Sequence, residues 1–236
     1  MRGLDSFRNT VYRIINPLTE RLAAARVHPN LLTTLGFAVT VSSGIAFHGH
    51  HVRTAGFLIL LGGLFDILDG RIARLTALGS KFGAFYDSTL DRMSEIVVFL
   101  GLLSLYNDYR LELGDVGMIY LIMLAMAGSL MISYTRARAE ALGLDCKVGL
   151  MPRAERVVLL GGAALFFGES WDGLVLKGVI VMLAVLTNLT AFQRIVWVWQ
   201  HARGVPLGQE ESGSIQTPIA VPVTDATTDN ESDARS

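Results

Sequence analysis

The fold turns on one stretch: Asp66-Ile67-Leu68-Asp69-Gly70-Arg71-Ile72-Ala73-Arg74, followed after eight residues by Gly83-Ala84-Phe85-Tyr86-Asp87-Ser88-Thr89-Leu90-Asp91. Both halves lie in apolar runs, 55–75 and 82–106, each about as long as a membrane-crossing helix. Asp66, Asp69, Asp87, Asp91 and Glu95 interrupt them. An acid at the centre of a membrane helix costs about 2.5 to 3.5 kcal/mol even on lenient insertion scales, so such residues mark a functional site. At helical spacing Asp66, Asp69 and Gly70 share one face, which Ala73 and Arg74 continue. Gly83, Asp87 and Asp91 fall at i, i+4 and i+8 on a second stripe. A short basic hairpin joins the two helices, so the acidic stripes face each other near its surface.

The rest of the chain repeats the apolar pattern. Further runs cover 31–48, 116–134, 156–167 (extended at its start by Pro152) and 174–199, which makes six spans and an all-α polytopic membrane protein. Of the 236 residues 51% are apolar and 17% charged, and the mean hydropathy is +0.45. A soluble domain carries about a quarter charged residues. Net charge −1 argues against a nucleic-acid partner, and the single Cys146 excludes an intramolecular disulfide framework. Arginines and lysines concentrate before the first span, between the second and third, between the fourth and fifth, and after the sixth. The positive-inside rule therefore puts both termini and the acid-bearing hairpin on the cytoplasmic side of the cell membrane.

Residues 1–30 form an amphipathic juxtamembrane segment. Leu4, Phe7, Val11, Ile14, Ile15, Leu18 and Leu22 recur at helical spacing among arginines, as in a helix lying on the cytoplasmic membrane surface. His28-Pro29-Asn30 breaks it before the six-helix body, 31–203. Residues 207–236 are acidic, aperiodic and rich in Ser, Thr, Pro and Gly, the composition of a disordered tail.

Four carboxylates in one small space repel one another unless a cation lies between them. All-oxygen ligands without a nearby Cys or His suit Mg²⁺ or Mn²⁺ better than Zn²⁺. Four acids suffice for two ions, the arrangement that clamps attacking and leaving oxygens in phosphoryl transfer. Gly70 and Gly83 let a ligand approach the backbone, and Arg74 offers a fork to phosphate oxygens.

The pattern Asp66-x2-Asp69-Gly70-x2-Ala73-Arg74-x8-Gly83-x3-Asp87-x3-Asp91 resembles the signature of the CDP-alcohol phosphotransferases at every fixed position. Eight fixed positions, each matched by chance about once in ten to twenty, put an accidental match at about 10⁻⁸ or less. The resemblance implies a six-helix enzyme, usually a homodimer, that exchanges CMP on CDP-diacylglycerol for an alcohol. Carried onto this chain, it makes Asp66, Asp69, Asp87 and Asp91 ligands of two Mg²⁺ ions, with Mn²⁺ as the alternative. Asp91 is in addition the general base. Asn30, Asp69, Gly70, Arg74, Ser80 and Gly83 hold the CDP-lipid.

The acceptor is read from a second constellation. Ser133-Tyr134-Thr135-Arg136-Ala137-Arg138-Ala139-Glu140 ends the fourth span, Pro152-Arg153-Ala154-Glu155-Arg156 begins the fifth, and Arg194 closes the sixth. Arginines converging beside a metal site suit an acceptor that itself bears phosphate. The pattern resembles the branch of the family formed by bacterial phosphatidylinositol phosphate synthases. That places inositol 1-phosphate among Ser133, Arg136, Arg138, Arg153, Arg156 and Arg194, although Arg136 stands where the commoner form has lysine. Glycerol 3-phosphate, the acceptor of a phosphatidylglycerophosphate synthase, is the alternative. A divalent-cation transporter using the same acids is the competing class, but it fixes neither the glycines nor Arg74 and would show repeats and broken helices.

Other groups carry plainer readings. Glu95 pairs with Arg92 or a neighbouring helix. His48, His50 and His51 form a solvated loop on the outer side, and Gly161 with Gly162 gives close helix packing.

Overall fold

A computed structural model describes residues 16–76, 78–107 and 116–203, and every regular element among them is helical. Residues Met1–His201 form one compact unit; of a second, Ala202–Ser236, only 202 and 203 are described. The first half of the expected surface helix, the loop 108–115 and the expected tail at 207–236 lie outside the described residues.

Six helices follow the hydropathy pattern: α1 (Pro29–His48), α2 (Val52–Thr76), α3 (Lys81–Tyr106), α4 (Val116–Ala141), α5 (Arg153–Gly162) and α6 (Leu174–Ala202). Helices α1, α4 and α6 are long and apolar enough to cross a membrane. Helices α2 and α3 are equally long but carry the acids. Large apolar side chains stand exposed on every long helix, among them Ile45, Phe57, Leu100, Met123 and Val185. On a soluble monomer so much exposed apolar surface would drive association; on a membrane protein it is the surface that lipid covers.

Local chemistry sets the helix starts. Proline occupies the first position of α1, and the His28 side chain accepts from the Asn30 N–H. Ser80 caps α3 by accepting from the Gly83 N–H at 2.9 Å. Before α1, residues 16–24 are helical, and a turn with Arg26 at φ 52° separates them from it. Leu22 and Val27 pack against Leu32, Leu68 and Ile72, which ties this segment to the acid-bearing end of α2.

Small residues let α1, α2 and α3 approach closely. A Cβ on Gly101 would lie 2.7 Å from the Gly44 backbone, and one on Gly62 2.2 Å from the Thr40 hydroxyl. Between α4 and α6, Asn188 donates to the Leu124 carbonyl at 2.9 Å, beside a Gly128 whose Cβ would lie 2.4 Å from Thr187 Oγ1.

Two elements differ from the hydropathy reading. Helix α4 runs on to Ala141, seven residues past the apolar run, with the half-exposed Arg136–Glu140 pair at 2.8 Å spanning its last turn. Gly143, at φ 74°, then follows the helix end. The fifth span is only ten residues of α-helix, continued by a π-helical turn over Ala163–Phe167. A Cβ on Gly56 of α2 would lie 2.3 Å from the Leu165 nitrogen in that turn, so the widened backbone sits directly against α2. Gly161 likewise meets Ile59 and Leu60, whereas Gly162 faces open space.

Candidate active site

The acids converge as their spacing requires. Asp66 and Asp69 on α2 and Asp87 on α3 each bring a carboxylate oxygen within 4.8 Å of the others. Asp69 is 4% exposed. Asp69 Oδ2 and Asp87 Oδ1 are buried and have no hydrogen-bond partner. Burying two carboxylate oxygens without a donor is costly, and a divalent cation bound among hard oxygen ligands would satisfy both. The donor set therefore fits Mg²⁺ or Mn²⁺.

Asp91 lies one turn beyond Asp87, outside that trio. Its Oδ1 is ion-paired with Arg153 Nη2 at 2.8 Å, while Asp66 Oδ2 accepts a hydrogen bond from Arg153 Nη1, also at 2.8 Å. Arg153, the first residue of α5, thus forks across one acid from each stripe. Its Nε is buried without a partner. A turn deeper, Arg156 is fully engaged: Nε and Nη2 meet Glu95 Oε1 at 2.8 and 2.7 Å, and Nη1 donates to the Met151 carbonyl at 2.9 Å. Glu95 therefore pairs with a neighbouring helix and not with Arg92, whose guanidinium lies 4.0 Å from Asp91 and bonds the Ser88 carbonyl.

On the other side of the acids a cleft of about 480 Å³ opens between α1, α2 and α3. Its lining includes all six residues expected to hold the CDP-lipid: Asn30, Asp69, Gly70, Arg74, Ser80 and Gly83. Gly70 leaves open backbone, with only the Arg74 guanidinium, Nη1 at 3.7 Å and Nη2 at 4.0 Å, near where a Cβ would stand. At Gly83 a Cβ would crowd Asn30 Oδ1 and Ser80 Oγ at 3.1 and 3.2 Å, so the glycine keeps the cleft wall thin. Thr34 Oγ1 and Tyr86 Oη, 3.0 Å apart, tie α1 to α3 nearby.

The acceptor set is spread more widely. Arg153 and Arg156 line a small cavity, about 50 Å³, that runs inward from the acids past Ser94 and Thr40. Arg194 is buried, donating to the Ile132 carbonyl at 2.6 Å and the Val148 carbonyl at 2.9 Å. It thereby clips the segment between α4 and α5 onto α4. Arg136 is exposed and bonded to Glu140, and Ser133 is half-buried on the same side of α4. Arg138 is also exposed but, two residues on, projects about 160° around the helix from Arg136. The structure therefore does not bring Arg138 together with the others.

Two site neighbours, Thr40 and Ser94, escape the sequence reading: they line the cavity among the acids and the one behind it. Thr33, in the Pro29-Asn30-x2-Thr33 stretch that leads into the first span, lines the cavity among the acids and the cleft. Ser94 falls three residues after Asp91 on the same stripe, a visible signal; Thr40 is one of several hydroxyls in α1, with nothing to single it out.

Residues 26–197 match the CDP-alcohol phosphatidyltransferase family. The archaetidylinositol phosphate synthase of Methanothermobacter thermautotrophicus is 33% identical over 202 residues, covering 85% of this chain and 96% of its own. The phosphatidylinositol phosphate synthase of Mycobacteroides abscessus is 35% identical over 199 residues, covering 83% and 87%. The crystal structure of Mycobacterium tuberculosis phosphatidylinositol phosphate synthase with CDP-DAG bound superposes with a TM-score of 0.71 at 30% identity, covering 79% of this chain and 94% of that one. A second structure of that enzyme, in complex with manganese and citrate, gives 0.69 at 30% identity, covering 78% and 88%.

Proposed function

This chain belongs to the CDP-alcohol phosphatidyltransferase family, and from that premise we propose that it makes phosphatidylinositol phosphate by moving a phosphatidyl group from CDP-diacylglycerol to inositol 1-phosphate, with release of CMP. The observation that carries the reading is the junction of two features. Acids with unsatisfied oxygens form one wall of a cleft whose lining includes every residue of the expected nucleotide set. The names of the relatives, an archaetidylinositol phosphate synthase and a phosphatidylinositol phosphate synthase, support the acceptor.

The enzyme is metal-dependent, and Asp66, Asp69, Asp87 and Asp91 are the residues that would hold two Mg²⁺ ions, with Mn²⁺ the alternative. A divalent ion supplies charge neutralisation at the diphosphate and polarisation of the phosphoryl group. The chain's own residues do the rest. Arg74 and the open backbone at Gly70 and Gly83 seat the cytidine diphosphate, with Asn30 and Ser80 at the rim. Asp91 takes the proton of the acceptor hydroxyl as its oxygen attacks the phosphorus bonded to diacylglycerol. The new phosphorus–oxygen bond forms as the bond to CMP breaks, and the electron pair leaves with CMP. In this reading Arg153 and Arg136, with Ser133, face the acceptor phosphate, while Arg156 and Arg194, engaged by Glu95 and by backbone carbonyls, hold the elements that carry them. Hydropathy and the positive-inside pattern support six spans behind an amphipathic surface segment, both termini in the cytoplasm, and a site at the cytoplasmic face of the cell membrane. A homodimer completes the proposal.

The test is CMP release by purified protein with CDP-diacylglycerol and Mg²⁺, offering inositol 1-phosphate, glycerol 3-phosphate and free inositol separately. Release with inositol 1-phosphate alone is expected. Release with glycerol 3-phosphate alone would keep the donor half and replace the acceptor. No release with any of them would return the acids to the ion-transport reading, which vesicle flux would then decide.

A further inference from the structure

The fork of Arg153 across Asp66 and Asp91 occupies the place where the proposed chemistry needs free carboxylate oxygens. Asp66 contributes to the trio that converges for a cation, yet one of its oxygens is bonded to Nη1 of Arg153. Asp91 has the other bond, on the carboxylate expected to receive a proton. Carboxylates this close need a cation, and with no divalent ion the guanidinium is the one that the chain itself provides.

That arrangement is incomplete where its neighbour is complete. Nε of Arg153, Oδ2 of Asp69 and Oδ1 of Asp87 are all buried without partners. Arg156, one turn along the same helix, has all three of its nitrogens engaged, Nε and Nη1 in hydrogen bonds and Nη2 in an ion pair with Glu95. The two side chains also differ in freedom: Arg153 is 28% exposed and Arg156 4%. Arg153 opens α5, where the cap Pro152 makes no side-chain hydrogen bond, so its side chain leaves from a helix end and not from a packed turn.

Resting on the metal reading above, we propose that Arg153 is an exchangeable counter-cation. It bridges Asp66 and Asp91 while the site is empty of metal and is displaced as a divalent ion binds. One movement then does three things: it clears Asp66 as a ligand, frees Asp91 as a base, and releases a guanidinium fork for an anionic acceptor. The exchange sets an order in which the metal precedes the acceptor. It also sets a cost, because metal affinity is reduced by the fraction of protein held in the bridged form.

The experiment is Mn²⁺ binding to full-length protein in detergent, without nucleotide or acceptor, followed by the electron paramagnetic resonance signal of free Mn²⁺. The proteins compared are wild type, Arg153→Gln and Arg153→Lys. If the bridged form is about nine-tenths of the metal-free protein, Arg153→Gln binds Mn²⁺ about tenfold more tightly. Lysine keeps the charge but cannot fork across two carboxylates, so Arg153→Lys is also expected to bind more tightly than wild type. Should glutamine leave the protein unfolded, the lysine variant carries the test. Clear binding that is equal in wild type and both variants would overturn the exchange and leave the metal reading intact. Tightening with glutamine but not with lysine would assign the effect to net charge and overturn it too. No Mn²⁺ binding by any of the three would overturn the metal reading itself, and the exchange with it.

Discussion

Arg153 and Arg156 stand one turn apart on the same short helix and each meets acid from the α2–α3 pair, but they form two different kinds of layer. The outer layer sets one guanidinium against acids on both helices and leaves three buried polar atoms unpaired. The inner layer sets one guanidinium against the single Glu95 carboxylate, with a backbone carbonyl completing it. A buried, satisfied pair is rigid, and breaking it leaves an uncompensated charge. An over-acidic, unsatisfied layer is one that a ligand completes. The molecule thus puts a fixed floor directly under a site that must change its partners.

The largest effect should come from the outer layer in activity and hardly at all in stability. Asp91→Asn keeps the shape and removes the base, so CMP release is expected to fall about 10²- to 10⁴-fold while the melting temperature stays near wild type. Residual turnover close to wild type would take the base role from Asp91 and dissolve the functional half of the contrast.

The next effect belongs to the inner layer and runs the other way. Glu95→Ala strands the Arg156 charge, which is 4% exposed, and is expected to cost about 3 to 5 kcal/mol of stability. Asp66→Ala, which leaves the more exposed Arg153 still paired with Asp91 and also relieves carboxylate repulsion, is expected to cost clearly less. Thermal unfolding of the two variants in one detergent compares them; equal losses would mean that the layers are energetically alike.

The first of these layers was visible in the sequence and the second was not, for a physical reason. Acids in an apolar run stand out against their solvent, and a period of 3.6 residues fixes which of them share a face, so Asp66, Asp69, Asp87 and Asp91 group from the sequence alone. Of the cleft residues, Asp69, Gly70, Arg74 and Gly83 are fixed positions of the family signature, while Asn30 and Ser80 are not. Glu95 shows the same anomaly, but periodicity gives a direction around a helix and not the identity of the helix it meets, so its partner on α5 stayed open. The arginines suffer more from this. Cytoplasmic loops carry them for topology as well as for ligands, and sequence could not tell that Arg194 would bond two backbone carbonyls while Arg138 pointed away. The π turn at Ala163–Phe167 is also illegible, since local propensity says nothing of the close contact it makes with Gly56 of α2.

Arg194 gives a smaller, sharper test, because its two carbonyl bonds hold in place the segment that leads into both layers. Hydrogen bonds from charged donors are worth about 1.5 to 3 kcal/mol, so Arg194→Met is expected to lower the melting temperature and expose residues 142–152 to protease. An unchanged melting temperature with a raised KM for the acceptor would instead make Arg194 part of the acceptor contacts.

The smallest expected effect comes from Ser80, and it separates stability from binding at a single atom. Its hydroxyl caps α3 by accepting from the Gly83 N–H and also stands in the lining of the cleft. Ser80→Ala removes the cap at a cost of about 1 kcal/mol, seen as a slightly lower melting temperature, and should raise the KM for CDP-diacylglycerol a few-fold. Ser80→Asp restores a cap acceptor, and a negative side chain suits a helix N-terminus, so its stability should return to the wild-type value. The same carboxylate then faces a diphosphate across the cleft, and the KM should rise further than in the alanine variant. If KM follows the melting temperature through both variants, Ser80 acts only through the helix it starts. If they part, the cleft beside the acids is where the nucleotide sits.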